Sequence, residues 1–315
     1  MYQISQTELA GHQTIVIRHP ATGNEVSVIA GYGGALNTFV VNGRHILRGT
    51  IDPGDFESNT VKSFAGSQMF PFPNRVKNAW YFFNGKGYFL PKNDDAPFAH
   101  SLHGLVYNKP FEISSINETE GKIILTHLLK ADATTYPFEL RLTVEYQLNI
   151  NTLQIRTNIH NLGNLNAPVG YGWHPYIAVA GNIDNCRLQL PASQFYLCDD
   201  RLIPNGKVGE LKQFTSLTRV GDIALNHCFE MPNTTDEYQT ILEDVDGTYV
   251  QLDQSGFNFV QCYIPPDRKS IAIEPQTCIA NSLNNKIGLI IMQAGERLDL
   301  SFKITVKNSS PNTNY

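Results

Sequence analysis

Hydrophobic and polar residues alternate with a period of two along much of this 315-residue chain. Leu142, Val144, Tyr146 and Leu148 alternate with Arg141, Thr143, Glu145 and Gln147. Leu153, Ile155 and Ile159 alternate with Gln154, Arg156, Asn158 and His160, and Leu298, Leu300, Phe302, Ile304 and Val306 repeat the pattern. Successive side chains on a strand point to opposite faces. Each segment therefore predicts a strand with one buried face and one face that is wet or packed on a second sheet. Turn signals separate shorter strands. Residues 14–17 and 25–29 flank a turn cluster at 19–24, and 80–83 and 88–90 flank Asn84-Gly85. Asn42-Gly43 is a second hairpin signal, because both residues tolerate positive φ. Pro71 and Pro73 force an extended or turned path through residues 70–75. No segment of about 12 or more residues shows helical spacing. Only short helical turns are expected, around residues 58–67. The pattern predicts an all-β sandwich or barrel. Without a linker, composition shift or repeat, residues 1–315 read as a single domain.

Composition narrows the function classes. Hydrophobic residues make up 42% and charged residues 17%, enough for a sizeable core. Net charge is −5 and no Lys/Arg cluster occurs, so nucleic acid is not an expected partner. Cys186, Cys198, Cys228, Cys262 and Cys278 are scattered and odd in number, which predicts reduced thiols. The N-terminus lacks a basic segment followed by an apolar run. The apolar run at 287–292 is too short to span a bilayer. A soluble cytoplasmic protein without membrane contact is the expectation.

Four stretches carry candidate chemistry. The first is Val169-Gly170-Tyr171-Gly172-Trp173-His174-Pro175-Tyr176, where one imidazole sits among aromatic rings. A polar ring among flat apolar faces suits a sugar, and it equally describes a core histidine. Trp173 is a candidate stacking platform for a sugar face, or a core tryptophan. The second is Asn74-Arg75 after the proline-rich turn, where a guanidinium fork can hold a ligand hydroxyl or simply pair at the surface. The third is Ser101-Leu102-His103-Gly104. His100 and His103 have H-x-x-H spacing, but no third ligand is evident, so no metal is expected. The fourth is Ile271-Ala272-Ile273-Glu274-Pro275-Gln276, in which an apolar strand delivers a glutamate. Glutamate is rarely buried without a partner.

Asn-Arg before a hairpin, Leu-His-Gly after a loop, His-Pro-Tyr among aromatics and a late Glu-Pro-Gln, in this order, resemble the aldose 1-epimerases (galactose mutarotases). The resemblance runs from Gly33-Gly34-Ala35 to the C-terminal strand and includes Tyr136-Pro137-Phe138 and residues 200–206. It implies a large antiparallel β-sandwich, the galactose mutarotase-like supersandwich, with an open sugar cleft and no cofactor. It also implies Glu274 as general base on the anomeric hydroxyl and His174 as general acid on the ring oxygen. His103, Arg75 and Asn74 would bind the sugar. One departure stands out. The family usually has an aspartate that binds sugar hydroxyls where this chain has Asn226.

The residue types suit the chemistry on their own terms. Opening a hemiacetal needs a base and an acid, and histidine, with an ordinary pKa of about 6.5, serves either role near neutrality. Partial burial would raise a glutamate towards working pH. The expected substrate is a free aldohexose, handled by a monomer or homodimer. The alternatives are a hexose-6-phosphate 1-epimerase, with Arg75 and Lys77 as phosphate ligands, and a catalytically silent sugar-binding protein of the same fold. A glycoside hydrolase would normally need a second carboxylate. The imidazole and the carboxylate are expected to face each other across a groove that takes one pyranose.

Overall fold

In the computed structural model, which describes residues 1–232 and 237–308, the alternating segments are the heart of a nine-stranded sheet. Leu140–Asn149 pairs antiparallel with Thr152–Asn161, which pairs with Arg297–Asn308. Their even spacing puts Leu142, Val144, Tyr146, Leu153, Ile155, Leu300 and Phe302 on one buried face, as the period-two pattern requires.

That face packs on an eight-stranded sheet. At its centre run Asn226–Glu230, Phe259–Tyr263, Ser270–Gln276 and Gly172–Trp173, with Gln68–Met69 at the edge. All seven residues of Ser270–Gln276 are buried, so this strand is central in its sheet and covered on both faces. A five-stranded sheet is built from the first 45 residues, and its hairpin turns at Asn42-Gly43 adopt the expected positive φ of 53° and 77°. The hairpin of Trp80–Phe83 and Lys86–Phe89 turns through Asn84-Gly85 in the same way, with φ of 49° and 79°. A helical turn covers Glu57–Lys62, and the α-helix Ser282–Asn285 has four residues. Among the described residues no helix is long and apolar enough to cross a membrane. All five cysteines are free thiols, four buried and Cys198 exposed.

A polar chain ties the two large sheets together through the core. Gln68 donates to Tyr146 Oη at 2.8 Å and accepts from Tyr171 Oη, and Thr157 donates to Tyr171 Oη at 2.9 Å. Each buried polar group thus offsets the desolvation of the next. Beside it Trp173 is wholly buried, stacked on Phe302 with ring centroids 4.4 Å apart, and its Nε1 donates to Gly66 O at 3.1 Å. This corrects the expectation of Trp173 as a sugar platform. Neighbours along an extended segment face opposite ways, so a cleft-facing His174 obliges Trp173 to face the core.

Removing the indole leaves a large void between the sheets. Trp173→Ala should lower unfolding stability by about 3–5 kcal/mol, read from urea denaturation at unchanged m-value. A loss below about 1 kcal/mol would contradict the burial described here.

Candidate active site

The cleft-facing side of the eight-stranded sheet carries the candidate chemistry. Gly172 pairs with Gln276, and Tyr176 pairs with Ala272. The register between them sets His174 opposite Glu274. Ladder pairing is interrupted at His174-Pro175, because proline has no N–H to donate. His174 is held instead from its other flank, where its N–H donates to Ser67 O at 3.2 Å and its carbonyl accepts from Gly66 N at 2.8 Å.

The two side chains touch. His174 Nε2 lies 3.4 Å from Glu274 Oε1, and the residues are only 5% and 2% exposed. They therefore lie side by side on the cleft floor. The expected arrangement, facing across a groove, is corrected by cross-strand pairing, which brings opposed side chains to within about 5 Å at Cβ. Burial penalises charge on both. It pushes the Glu274 carboxyl up to about 8, against smaller opposing effects of a hydrogen bond from Gln276 and the Arg75 charge. It pulls the His174 imidazole down to about 3. Both groups thus favour their neutral forms, a protonated carboxyl and an uncharged imidazole.

A two-stranded ribbon supplies the opposite wall. Arg75–Val76 pairs with Ser101–Leu102, and His103 N donates to Asn74 O at 3.0 Å. Two motifs 29 residues apart are thereby joined. Asn74 N donates to His103 Nδ1 at 3.3 Å, which leaves the ring proton on Nε2. Burial, then the neighbouring His174 and Arg75, hold His103 well below the ordinary histidine range, so it is a neutral donor. Its ring meets His174 edge-on at 5.1 Å between centroids. Gly104 has φ of +82°, and a Cβ there would stand 2.2 Å from Phe70 O, so only glycine lets the ribbon come this close. His100 turns the other way. Its Nδ1 accepts from Asn78 N at 2.9 Å, so the H-x-x-H pair does not converge. Among the described residues no group of three or more His, Cys, Asp or Glu is placed to hold a metal.

Arg75 lines the cleft, but its Nε is bound to Asp94 Oδ2 at 2.7 Å and its guanidinium lies 5.3 Å from the Phe98 ring centroid. Asn226 also lines the cleft, and its Oδ1 accepts from Gln261 Nε2 at 2.8 Å. The structure thus brings His174, Glu274, Arg75, His103, Asn74 and Asn226 to one cavity of about 610 Å³ and leaves out Trp173. That volume is within the usual range of small-molecule sites. Asp94, Gln261 and Tyr176 also line it and were not singled out from sequence. Asp94 sits in a polar loop without a pattern. Gln261 is visible only once its strand is known to pair with Glu274. Tyr176 belongs to the His174-Pro175-Tyr176 segment, and its ring stacks on His174 with centroids 4.9 Å apart.

Comparison with known proteins bears on the fold and the family. A family model described as aldose 1-epimerase matches residues 13–305. The uncharacterized protein YihR of Escherichia coli K12 is 30% identical over 309 residues, covering 96% of each chain. Among solved structures, a galactose mutarotase-like protein from Clostridium acetobutylicum superposes with a TM-score of 0.84 at 20% identity, over 98% of this chain and 99% of that one. The galactose 1-epimerase from Lactobacillus acidophilus NCFM gives 0.81 at 16% identity, over 98% and 99%. These structural likenesses establish the galactose mutarotase-like supersandwich. The family match over nearly the whole sequence goes further, and the chain belongs to the aldose 1-epimerase family, a family of sugar isomerases.

Proposed function

We propose that this protein interconverts the α and β anomers of a free aldohexose by opening and reclosing the pyranose ring. The observation that carries the reading is the contact between His174 Nε2 and Glu274 Oε1 at 3.4 Å on the cleft floor. An acid and a base so placed can reach the two oxygens attached to one anomeric carbon.

In this reading the proton that the empty site keeps on Glu274 passes to His174 once the sugar is bound, and Glu274 then takes the proton of the O1 hydroxyl as the C1=O bond forms. The C1–O5 bond breaks, and O5 receives the proton of His174. Rotation about C1–C2 presents the other face of the aldehyde. The O5 hydroxyl then attacks it, returning its proton to His174 while Glu274 returns one to O1. The pair holds one proton before and after. Ring opening converts carboxylate with imidazolium into carboxylic acid with neutral imidazole. Burial favours that second form, so it favours the opened sugar over the starting charge-separated pair. His103 Nε2, Arg75, Asn74 and the Asn226–Gln261 pair offer hydrogen bonds to the hydroxyls.

A free sugar fits better than a 6-phosphate. Arg75 and Arg48 already bind Asp94 and Asp267, at 2.7 and 2.6 Å. The third cation of the cleft lining, Lys62, pairs with Glu57 at 3.8 Å, and Lys77 does not line the cleft. NMR exchange spectroscopy on glucose, galactose and their 6-phosphates tests this. Acceleration of a free aldohexose is expected. Acceleration confined to the phosphates would favour the other epimerase, and none on any sugar would leave a binding protein.

Glu274→Gln and His174→Asn should each cut kcat by about 10²–10⁴-fold, as loss of a positioned base or acid does. Parent rates in either variant would remove that residue from the mechanism.

The pH profile follows from the proton count. The active pair holds one proton, and burial places its loss near 8. A second proton would join only near 3, where His174 charges. After subtraction of the hydroxide-catalysed background, kcat/KM should be level through neutrality and fall above about pH 8. A rate that instead rises through that pH would mean that the unprotonated pair is the active form.

A further inference from the structure

We propose that Gln276 is the positioning residue of the proton-transfer pair: its buried amide pins Oε2 of Glu274 and leaves Oε1 as the oxygen that exchanges the proton. This rests on the reading of Glu274 as a proton-transfer group and adds to it which oxygen works.

Gln276 stands two residues after Glu274 on one strand, so both side chains leave the same face. Its Nε2 donates to Glu274 Oε2 at 2.9 Å, within the buried interior. Gln276 is 0% exposed and does not line the cleft. A sugar cannot touch it, so any influence passes through the carboxyl. A carboxylic acid carries its proton on one oxygen. An N–H already aimed at Oε2 disfavours an O–H on that oxygen, because the hydroxyl oxygen of a carboxylic acid accepts more weakly than its carbonyl oxygen. The proton is confined to Oε1, which is the oxygen beside His174 Nε2. Among the described residues Gln276 is the one hydrogen-bond donor to Oε2.

The orientation and the space around the amide both serve this contact. Its own Oε1 is buried and has no hydrogen-bond partner among the described residues. A half turn of the amide would set that oxygen against Oε2 and repel a carboxylate. The donor end is therefore the end that faces Glu274. Gly172 is the residue directly opposite Gln276. A Cβ at Gly172 would stand 3.1 Å from Gln276 Cγ and 2.8 Å from Met69 Cε. The absent side chain makes room for the glutamine stem.

The donor also opposes burial. A hydrogen bond to the charged form lowers a carboxyl pKa, and Gln276 acts on Glu274 in that sense. The other groups that face the carboxyl are His174 from the adjoining segment, Arg75 from the ribbon and Tyr176 from the next strand. From the neighbouring strands come Tyr263, Cys262 and Cys228, whose own protons the carboxylate helps to retain.

Gln276→Met keeps the length of the side chain and removes the donor; Gln276→Leu is a second form of the same change. Both should lower kcat by roughly tenfold or more, the scale of a hydrogen bond to a charged group, and leave KM within about twofold. Both should also move the alkaline limb of kcat/KM to higher pH. A folded variant with parent kcat and an unmoved limb overturns the proposal, as does a raised KM at parent kcat. Glu274→Gln is assayed alongside: if it is slow while the Gln276 variants are normal, only the positioning role fails, and if it is fast, the underlying reading fails as well. A measurement on the parent enzyme is independent of variant folding. With 15N-labelled glutamine, one buried side-chain amide should shift with the midpoint of the alkaline limb, and that shift should vanish in Glu274→Gln. Absence of any such amide overturns the proposal.

Discussion

The register of the strand Ser270–Gln276 against residues 172–178 is the constraint on which the site depends. It sets His174 opposite Glu274 although they lie 100 positions apart in sequence. A slip of one residue would turn the carboxylate into the inter-sheet core and bring isoleucines to the cleft, since side chains alternate strictly between faces. Packing guards against that slip. Trp173 is committed to the core by its stack on Phe302, and Ile271 and Ile273 are buried on the same side. The residues that look least chemical thereby decide where the chemistry sits.

Burial then gives the pair its electrical character. In water a carboxylate and an imidazole near neutrality would titrate two units apart with the carboxylate charged. In this cleft floor the order of proton affinity is inverted, with the carboxyl raised to about 8 and the imidazole lowered to about 3. The surrounding groups are fixed by their own partners. Asp94 holds the Arg75 fork, and the Asn74 backbone fixes the His103 tautomer. Donors and acceptors are therefore in place before a sugar arrives, which is the condition under which fixed dipoles act most strongly on developing charge.

Much of this was legible in the chain. Period-two alternation located the long strands of the nine-stranded sheet, and Asn-Gly pairs located two hairpins. The family resemblance implied His174, Glu274, Arg75, His103, Asn74 and Asn226 as residues of one site, and they line one cavity. Trp173 was misjudged because adjacency to His174 in sequence was taken as adjacency in space; on a strand it means the reverse. The direct contact of His174 with Glu274 was out of reach, because register between distant strands is set by packing and not by any local signal. The same holds for Gln261 and for Asp94, which act across the ribbon or the sheet from segments that carry no motif. Gln276 was in view within Glu-Pro-Gln, but its role needs the knowledge that alternate residues of a buried strand share a face.

The central claim is that burial inverts the ordinary order of proton affinity between Glu274 and His174. A combined NMR titration of the empty enzyme, with 15N-labelled histidine and 13C-carboxyl-labelled glutamate, tests it most directly. The His174 ring and the Glu274 carboxyl should respond together to one ionisation near 8, and His174 should show no separate charging step in the ordinary histidine range. Independent titrations, with the carboxyl near about 4.3 and the imidazole near about 6.5, would contradict the account.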